Sequence, residues 1–321
     1  MNYIMYCAFG DKRYVYETIL SIKSFIDVNK KILNKIVVYT TKSLRKIFEE
    51  NLFYSDLIFE ILTEEEIKNS TYVNGIKYIP RIKIIAIEDF LKRYKCPVIF
   101  VDTDTLFLSS IDDIHTNLIR DPTTCFLYTK CLSIKDFYKQ YKKLLLNETS
   151  ADVMLHYRIC RKLIKNNLIP LDYEDVILTQ DFHQYNSGVI AVPESVSNMT
   201  KKVLELSDYL LATYNFYWAE EFAFSYFLQR YYHVESCDCY IYHYNDKWVR
   251  LFLSKYYHAF FEEDEKEFLK LVERYSIENE FLEGFEVKKI PHITNCVRKK
   301  MNLVRNPYYD DTSYYNNYEK M

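Results

Sequence analysis

Glycine is nearly missing from this chain: it occurs 4 times in 321 residues, where an average share of roughly 7% would give about 22. With so few there is no G-x-G-x-x-G fingerprint and no G-K-[ST] loop, which excludes the two common glycine-built phosphate cradles. The survivors, Gly10, Gly75, Gly188 and Gly284, are expected where a side chain is not tolerated. Long apolar runs are missing too. No stretch approaches the roughly 18 residues of a membrane span, and the opening MNYIMYCAFG lacks the charged-then-apolar layout of a secretory leader, so the expected location is cytoplasmic. The 8 cysteines contain no Cys-x-x-Cys pair and read as reduced core residues, with Cys237 and Cys239 in one strand. Nor is there a strong excess of one charge. A net charge of −3 excludes a dedicated nucleic-acid binder.

What is present is apolar and aromatic: 49% hydrophobic residues, 32 Tyr and 21 Phe, with 27% charged. A chain of this size buries a sizeable core, and one large α/β domain with helical additions is expected. Apolar runs at 3–8, 35–40 and 58–62 read as buried strands. Between them lie helical patterns at 14–27, with Ile19, Ile22 and Ile26 on one stripe, and from a Ser43 cap to Glu50. Thr63 with Glu66 has the layout of a capping box. Residues 69–80 read as a polar loop, and Arg81 to Tyr94 as a helix with Ile84, Ile87, Leu91 and Tyr94 in line. Strands alternating with helices imply a mainly parallel sheet. Further on, a helix starts near 109–113, a strand is expected at 124–129, a polar triplet at 186–188 feeds another strand within 185–192, and helices are expected at 195–214 and 218–228. A helical insertion spans about 133–168, with helices at 135–147 and 152–166, and a last strand runs from Cys239 to Tyr244.

The chemistry concentrates after residue 97. Pro97-Val-Ile-Phe-Val101 is a buried-strand pattern that runs directly into Asp102-Thr-Asp104. In an extended chain the two carboxylates share one side. They repel one another unless a cation lies between them, and oxygen ligands suit hard divalent ions that bridge to phosphates. The triplet alone is within what chance supplies; its place at the carboxyl end of a buried strand, where open α/β sheets bind ligands, gives it weight. Arg81 and Lys83, in the first turn of their helix, oppose the helix dipole and suit an anion. Glu220 and Glu221 open another helix, where carboxylates suit the dipole. His243 ends a late strand, with Lys247 four residues on.

The early strand with its Gly-Asp turn, the Asp-x-Asp near residue 100, Asn186-Ser187-Gly188, the acidic pair and the closing His and Lys resemble, in that order, nucleotide-diphospho-sugar transferases of the glycosyltransferase A fold, the family 8 type above all. The likeness in motif order covers about residues 3–250. It implies a Rossmann-like, mixed and mainly parallel sheet flanked by helices, in a catalytic domain over 1–260 followed by a C-terminal helical extension and tail over 261–321. By the same resemblance Asp102, Asp104 and His243 hold Mn²⁺ or Mg²⁺ against the donor diphosphate, and Ala8, Asp11 and Tyr14 contact base and ribose. Arg81 and Lys83 match the family's basic helix near the donor, Lys247 takes the diphosphate, Asn186, Ser187 and Gly188 lie beside the donor sugar, and Glu220 and Glu221 stand for the catalytic pair near sugar and acceptor. The implied reaction moves a sugar from a nucleoside-diphosphate sugar, UDP-sugar favoured, to a glycan, protein or lipid acceptor, with a homodimer as an expected assembly. The family's closing motif carries Gly and Pro and two more residues between His and Lys than this chain has.

Two other readings fit parts of the pattern. Phosphatases of the haloacid-dehalogenase type also place Asp-x-Asp after a buried strand, but their threonine follows two residues later and their motif ends the first strand. A transferase fold reduced to a binding module is the other, and the intact Asp pair speaks against it.

Overall fold

The computed structural model describes residues 2–29, 34–52, 54–133, 158, 161–162, 169–179 and 181–244. All of these residues except Tyr244 belong to one compact unit, Met1–His243. Lys247 and the extension expected over 261–321 lie outside the described residues, as does almost all of the expected insertion.

Three apolar runs form parallel neighbours: β1 (Asn2–Ala8), β2 (Asn34–Thr40) and β3 (Leu57–Ile61). They are joined by α1 (Lys12–Val28) and α2 (Lys42–Asn51). The other side of β1 takes β6 (Val98–Val101), also in parallel, with Ile4 opposite Ile99 and Met5 opposite Phe100. Beyond β6 the sheet turns mixed: β9 (His183–Val192) is antiparallel to it, β8 (Thr124–Ser133) antiparallel to β9, and β10 (His233–Ser236) parallel to β8. The order is β10-β8-β9-β6-β1-β2-β3, and four of its six pairings are parallel. The α/β class and the mixed, mainly parallel, helix-flanked sheet are as the sequence implies.

Burial on both faces explains the uninterrupted apolar runs of β1, β2 and β6, whereas β3, read as a buried strand, lies at the sheet edge half-buried with Ile61 exposed. In β6 all four residues are inaccessible. One face packs Met5, Val37, Phe100 and Ile190 in one apolar cluster with Ile84, Ile87 and Phe90 of α4 (Arg81–Tyr94), Val203 and Leu210 of α6 (Thr200–Tyr214) and Phe222 of α7 (Ala219–Tyr231). Ile4 and Tyr6 alternate to the other face, where the Tyr6 hydroxyl meets Ser21 of α1 at 2.9 Å.

Local signals decide the remaining elements. Thr63 and Glu66 form the expected capping box of α3 (Glu64–Thr71). For α2 the cap is Thr41, whose hydroxyl accepts from the Leu44 amide, rather than Ser43. The segment read as a loop at 69–80 contains a small hairpin, β4 (Tyr72–Val73) with β5 (Ile76–Lys77). Its turn, Asn74-Gly75, has φ of 49° and 82°, the left-handed pair that Asn-Gly accepts most readily. The helix read from 195 starts as a 3-10 turn, Glu194–Asn198, before α6. Cys237 and Cys239 do not share a strand. They sit in the turn after β10, an edge strand that the sequence reading did not include. The helix expected near 109–113 is α5 (Asp112–Arg120).

Candidate metal and diphosphate site

The aspartate pair converges by a different route from the one its spacing suggests. Strand β6 stops at Val101, the chain bends through Asp102–Asp104, and it resumes as β7 (Thr105–Phe107) in a separate two-stranded sheet. The partner there is β11 (Ile241–His243), antiparallel, with His243 opposite Thr105. That pairing delivers the imidazole to the carboxylates: His243 Nε2 lies 3.1 Å from Asp104 Oδ1 and 3.9 Å from Asp102 Oδ2. One ligand atom from each of the three falls within 4.8 Å of the others. Asp104 and His243 are buried, whereas the Asp102 side chain keeps 26% of its surface, so the cluster opens to solvent past Asp102.

Buried hydroxyls pin the bend. The Asp102 amide donates to Gly188 O at 2.8 Å, extending the β6–β9 ladder by one residue. Thr105 Oγ1 donates to Asp102 O at 2.8 Å, so it accepts from Ser21, 2.8 Å away, which accepts in turn from Tyr6. Thr103 Oγ1 donates to Glu17 Oε2 at 2.8 Å, which ties the bend to α1. None of Tyr6, Ser21 or Glu17 carries a signal in the sequence, because their role exists only across long chain separations.

Among the described residues, Lys83 is the cation that meets this cluster. It is buried, and its Nζ lies 3.1 Å from Asp102, 3.0 Å from Ser187 O and 3.5 Å from Glu220 Oε1. Burial works against its charge, but Asp102 and Glu220 outweigh that and hold the ammonium above the usual lysine range. For Asp102, burial raises the carboxyl despite Lys83 and His243, with Asp104 adding to the rise. Glu220 is pushed up to about 7 by burial, against the pull of Lys83. Its Oε2 accepts from Ser187 Oγ at 3.1 Å, and its Oε1 accepts no hydrogen bond among the described residues. Glu221, also raised by burial, accepts from Gln184 Nε2, from Asn186 Nδ2 at 3.3 Å and from the Ser187 amide at 3.4 Å.

Of the residues singled out in the sequence, Lys83, Asp102, Asp104, Asn186, Ser187, Gly188, Glu220, Glu221 and His243 meet in one network of contacts. The triplet Asn186–Gly188 lies inside β9 rather than ahead of it. Gly188 leaves room for a ring: a Cβ built there falls 2.1 Å from His243 Nδ1. Ala8 is buried at the end of β1, and Asp11 caps α1, accepting from the Arg13 amide at 2.8 Å. Tyr14 lies beneath the Arg13 guanidinium, 4.9 Å from its ring centre. Arg81 is taken up elsewhere. It binds both oxygens of Asp208, at 2.8 and 3.0 Å, and the carbonyls of Asn69 and Ser70, an arrangement that docks α4 to α6. Two further residues escaped the sequence reading: Gln184, and Tyr78, whose hydroxyl donates to Tyr217 O and accepts from the Glu220 amide.

Three acceptor groups facing one another with one ammonium at their side suit a divalent cation better than a void. Two carboxylate oxygens and an imidazole nitrogen are groups that could hold a divalent metal ion.

No family model matches the chain, and no curated protein matches it in sequence. Among solved structures, a galactosyltransferase, LgtC, in complex with donor and acceptor sugar analogs is similar at 12% identity, over 72% of each chain, with a TM-score of 0.45. The apo form of mouse xyloside xylosyltransferase 1 is 12% identical over 74% of this chain and 85% of its own, with a TM-score of 0.44. Likenesses this loose leave the chemistry to be read from the site itself.

Proposed function

We propose that the chain is a metal-dependent glycosyltransferase that moves a sugar from a nucleoside-diphosphate sugar, UDP-sugar favoured, to an acceptor hydroxyl on a glycan, protein or lipid. The observation that carries this reading is the cluster of Asp102, Asp104 and His243 at the carboxyl end of β6, within 4.8 Å of one another, with the Lys83 ammonium 3.1 Å from Asp102. The order of motifs that resembles glycosyltransferase family 8 agrees with it. Asp102, Asp104 and His243 would hold Mn²⁺ or Mg²⁺, which when bound neutralises charge on a departing nucleoside diphosphate.

The chain's own residues supply the rest. Lys83 favours the charged form of Asp102 beside the diphosphate position, against the effect of burial, and adds a fixed positive charge that needs no reorganisation during transfer. Ala8, Asp11 and Tyr14, at the end of β1 and the start of α1, take the base and ribose in this reading. The Asn186–Gly188 stretch lines the donor sugar. Glu220, with a proton affinity near neutrality, is suited to exchanging a proton with the acceptor hydroxyl.

Calorimetric titration with UDP, with and without Mn²⁺, tests the reading. Binding that requires the ion, followed by slow hydrolysis of one member of a nucleotide-sugar panel, is the expected result. Failure of every nucleotide to bind in the presence of Mn²⁺ would reject it.

A further inference from the structure

We propose that Glu221 and Asn186 are positioning residues that fix His243 as its Nδ1–H tautomer, so that the bare lone pair of Nε2 faces the space between Asp102 and Asp104. The inference rests on the metal reading of that cluster, and it reassigns Glu221 from the catalytic pair to the support of a ligand.

The hydrogen bonds determine the proton's place one after another. The Gly188 amide donates to one end of the Asn186 side chain at 2.9 Å. A backbone N–H requires an acceptor, so that end is the oxygen. The opposite end meets Glu221 Oε2 at 3.3 Å, and a carboxylate requires a donor there, so both ends agree. The orientation of Glu221 is set independently, because Gln184 Nε2 donates to its other oxygen and the Ser187 amide to Oε2. The Asn186 oxygen then lies 2.8 Å from His243 Nδ1. Two acceptors do not bond, so Nδ1 carries a hydrogen.

In the neutral ring Nε2 is therefore bare, and it lies 3.1 Å from Asp104 Oδ1. A lone pair set against a carboxylate is unfavourable unless a cation lies between them. That is the state a metal-ligating histidine needs, with its remote N–H held by an outer acceptor. The usual outer partner is a carboxylate or a backbone carbonyl; here it is an amide whose direction a carboxylate enforces. Glu220 and Glu221, neighbours on α7, thus divide: Glu220 faces Lys83 and Ser187, while Glu221 acts through Asn186.

The tautomer is read directly on metal-free protein with ¹⁵N-labelled histidine, by long-range ¹H–¹⁵N correlation at about pH 9, where an ordinary imidazole is neutral. Nδ1 protonated and Nε2 bare in the wild type is the expected pattern. Nε2 protonated instead would overturn the proposal without any variant. In Asn186→Leu the proton is expected to pass to Nε2, where Asp104 accepts it, with Mn²⁺ affinity down about 10–100-fold. Glu221→Gln keeps an acceptor for Asn186 and should retain both the tautomer and the affinity to within a few-fold. An unchanged tautomer in Asn186→Leu would also overturn it. If the wild type binds no Mn²⁺ at all, the metal reading falls, while the spectrum still decides the tautomer on its own.

Discussion

Gly188 and His243 occupy each other's space: a Cβ at residue 188 falls 2.1 Å from Nδ1 and 2.5 Å from Cγ of the imidazole. The absent side chain in the middle of β9 is what lets the ring stand over the strand and reach the aspartates. In Gly188→Ala either the ring or the strand must move, at a cost of about 1–3 kcal/mol for overpacking. The double variant Gly188→Ala/His243→Ala should recover most of that stability, because the ring that clashes is gone. Urea unfolding of the wild type, both single variants and the double gives the coupling energy; additive effects would show that the glycine serves something other than the histidine.

Ligand binding to the cluster should appear as added thermal stability. Mn²⁺ at 100 times its dissociation constant adds about 2.7 kcal/mol to the wild type. In Asp102→Asn and Asp104→Asn that increment should shrink to near zero while the metal-free proteins stay folded. A melting scan with and without Mn²⁺ measures it. An increment equal to that of the wild type in both variants would remove the aspartates from the ligand set.

Glu220 makes stability depend on pH with a definite sign. Its carboxyl holds a proton up to about pH 7 in the folded chain, against an ordinary value of 4.5. Between those values the folded state binds more protons than the unfolded state, so this group's contribution falls as pH rises through the window, by at most about 3 kcal/mol. Glu220→Gln cannot ionise. Its stability relative to the wild type should rise between pH 5 and pH 8 by roughly 1–3 kcal/mol, and a constant difference across that range would show that Glu220 ionises as readily folded as unfolded.

Arg81 and Lys83, two residues apart on α4, should behave as opposites. Arg81→Ala breaks the paired bond to Asp208 and should lower the melting temperature with Mn²⁺ affinity unchanged. Lys83→Met leaves Asp102 and buried Glu220 without their cation, at about 3–5 kcal/mol for breaking a buried pair. Combining it with Glu220→Gln should return part of the loss. Denaturation with parallel Mn²⁺ titration separates the two cases; a drop in Mn²⁺ affinity on Arg81→Ala would bring that guanidinium back to the site.

The inner strands of the sheet were legible because they are short apolar runs, which burial on both faces demands, and the capping box because Thr63 and Glu66 lie within one turn of each other, whereas the polar edge strand β10 carries no such run. The Asp pair and His243 were legible as residue types at strand ends. What could not be read was register. Nothing local says that His243 pairs opposite Thr105, that Gly188 yields to an imidazole, or that Arg81 is claimed by Asp208. Each of these depends on a contact between distant parts of the chain. The β4–β5 hairpin is different, since Asn74-Gly75 announces it and only its shortness hid it among polar neighbours. Glu220 and Glu221 look equivalent in sequence, and helical geometry alone, turning successive residues about 100° apart, sends one to Lys83 and the other to Asn186.

The pairing of β11 with β7 also governs when the site comes into being. Asp104 and His243 are 139 residues apart in sequence, and the strand that joins them is three residues long and ends the compact unit. During synthesis His243 follows the aspartate bend by 139 residues, so the cluster cannot be complete before the chain has been made to that point. A cation held at both ends, as proposed above, would work as a clasp across that long loop, much as a distant cross-link would. Affinity for the ion thereby doubles as a report that the closing strand has docked.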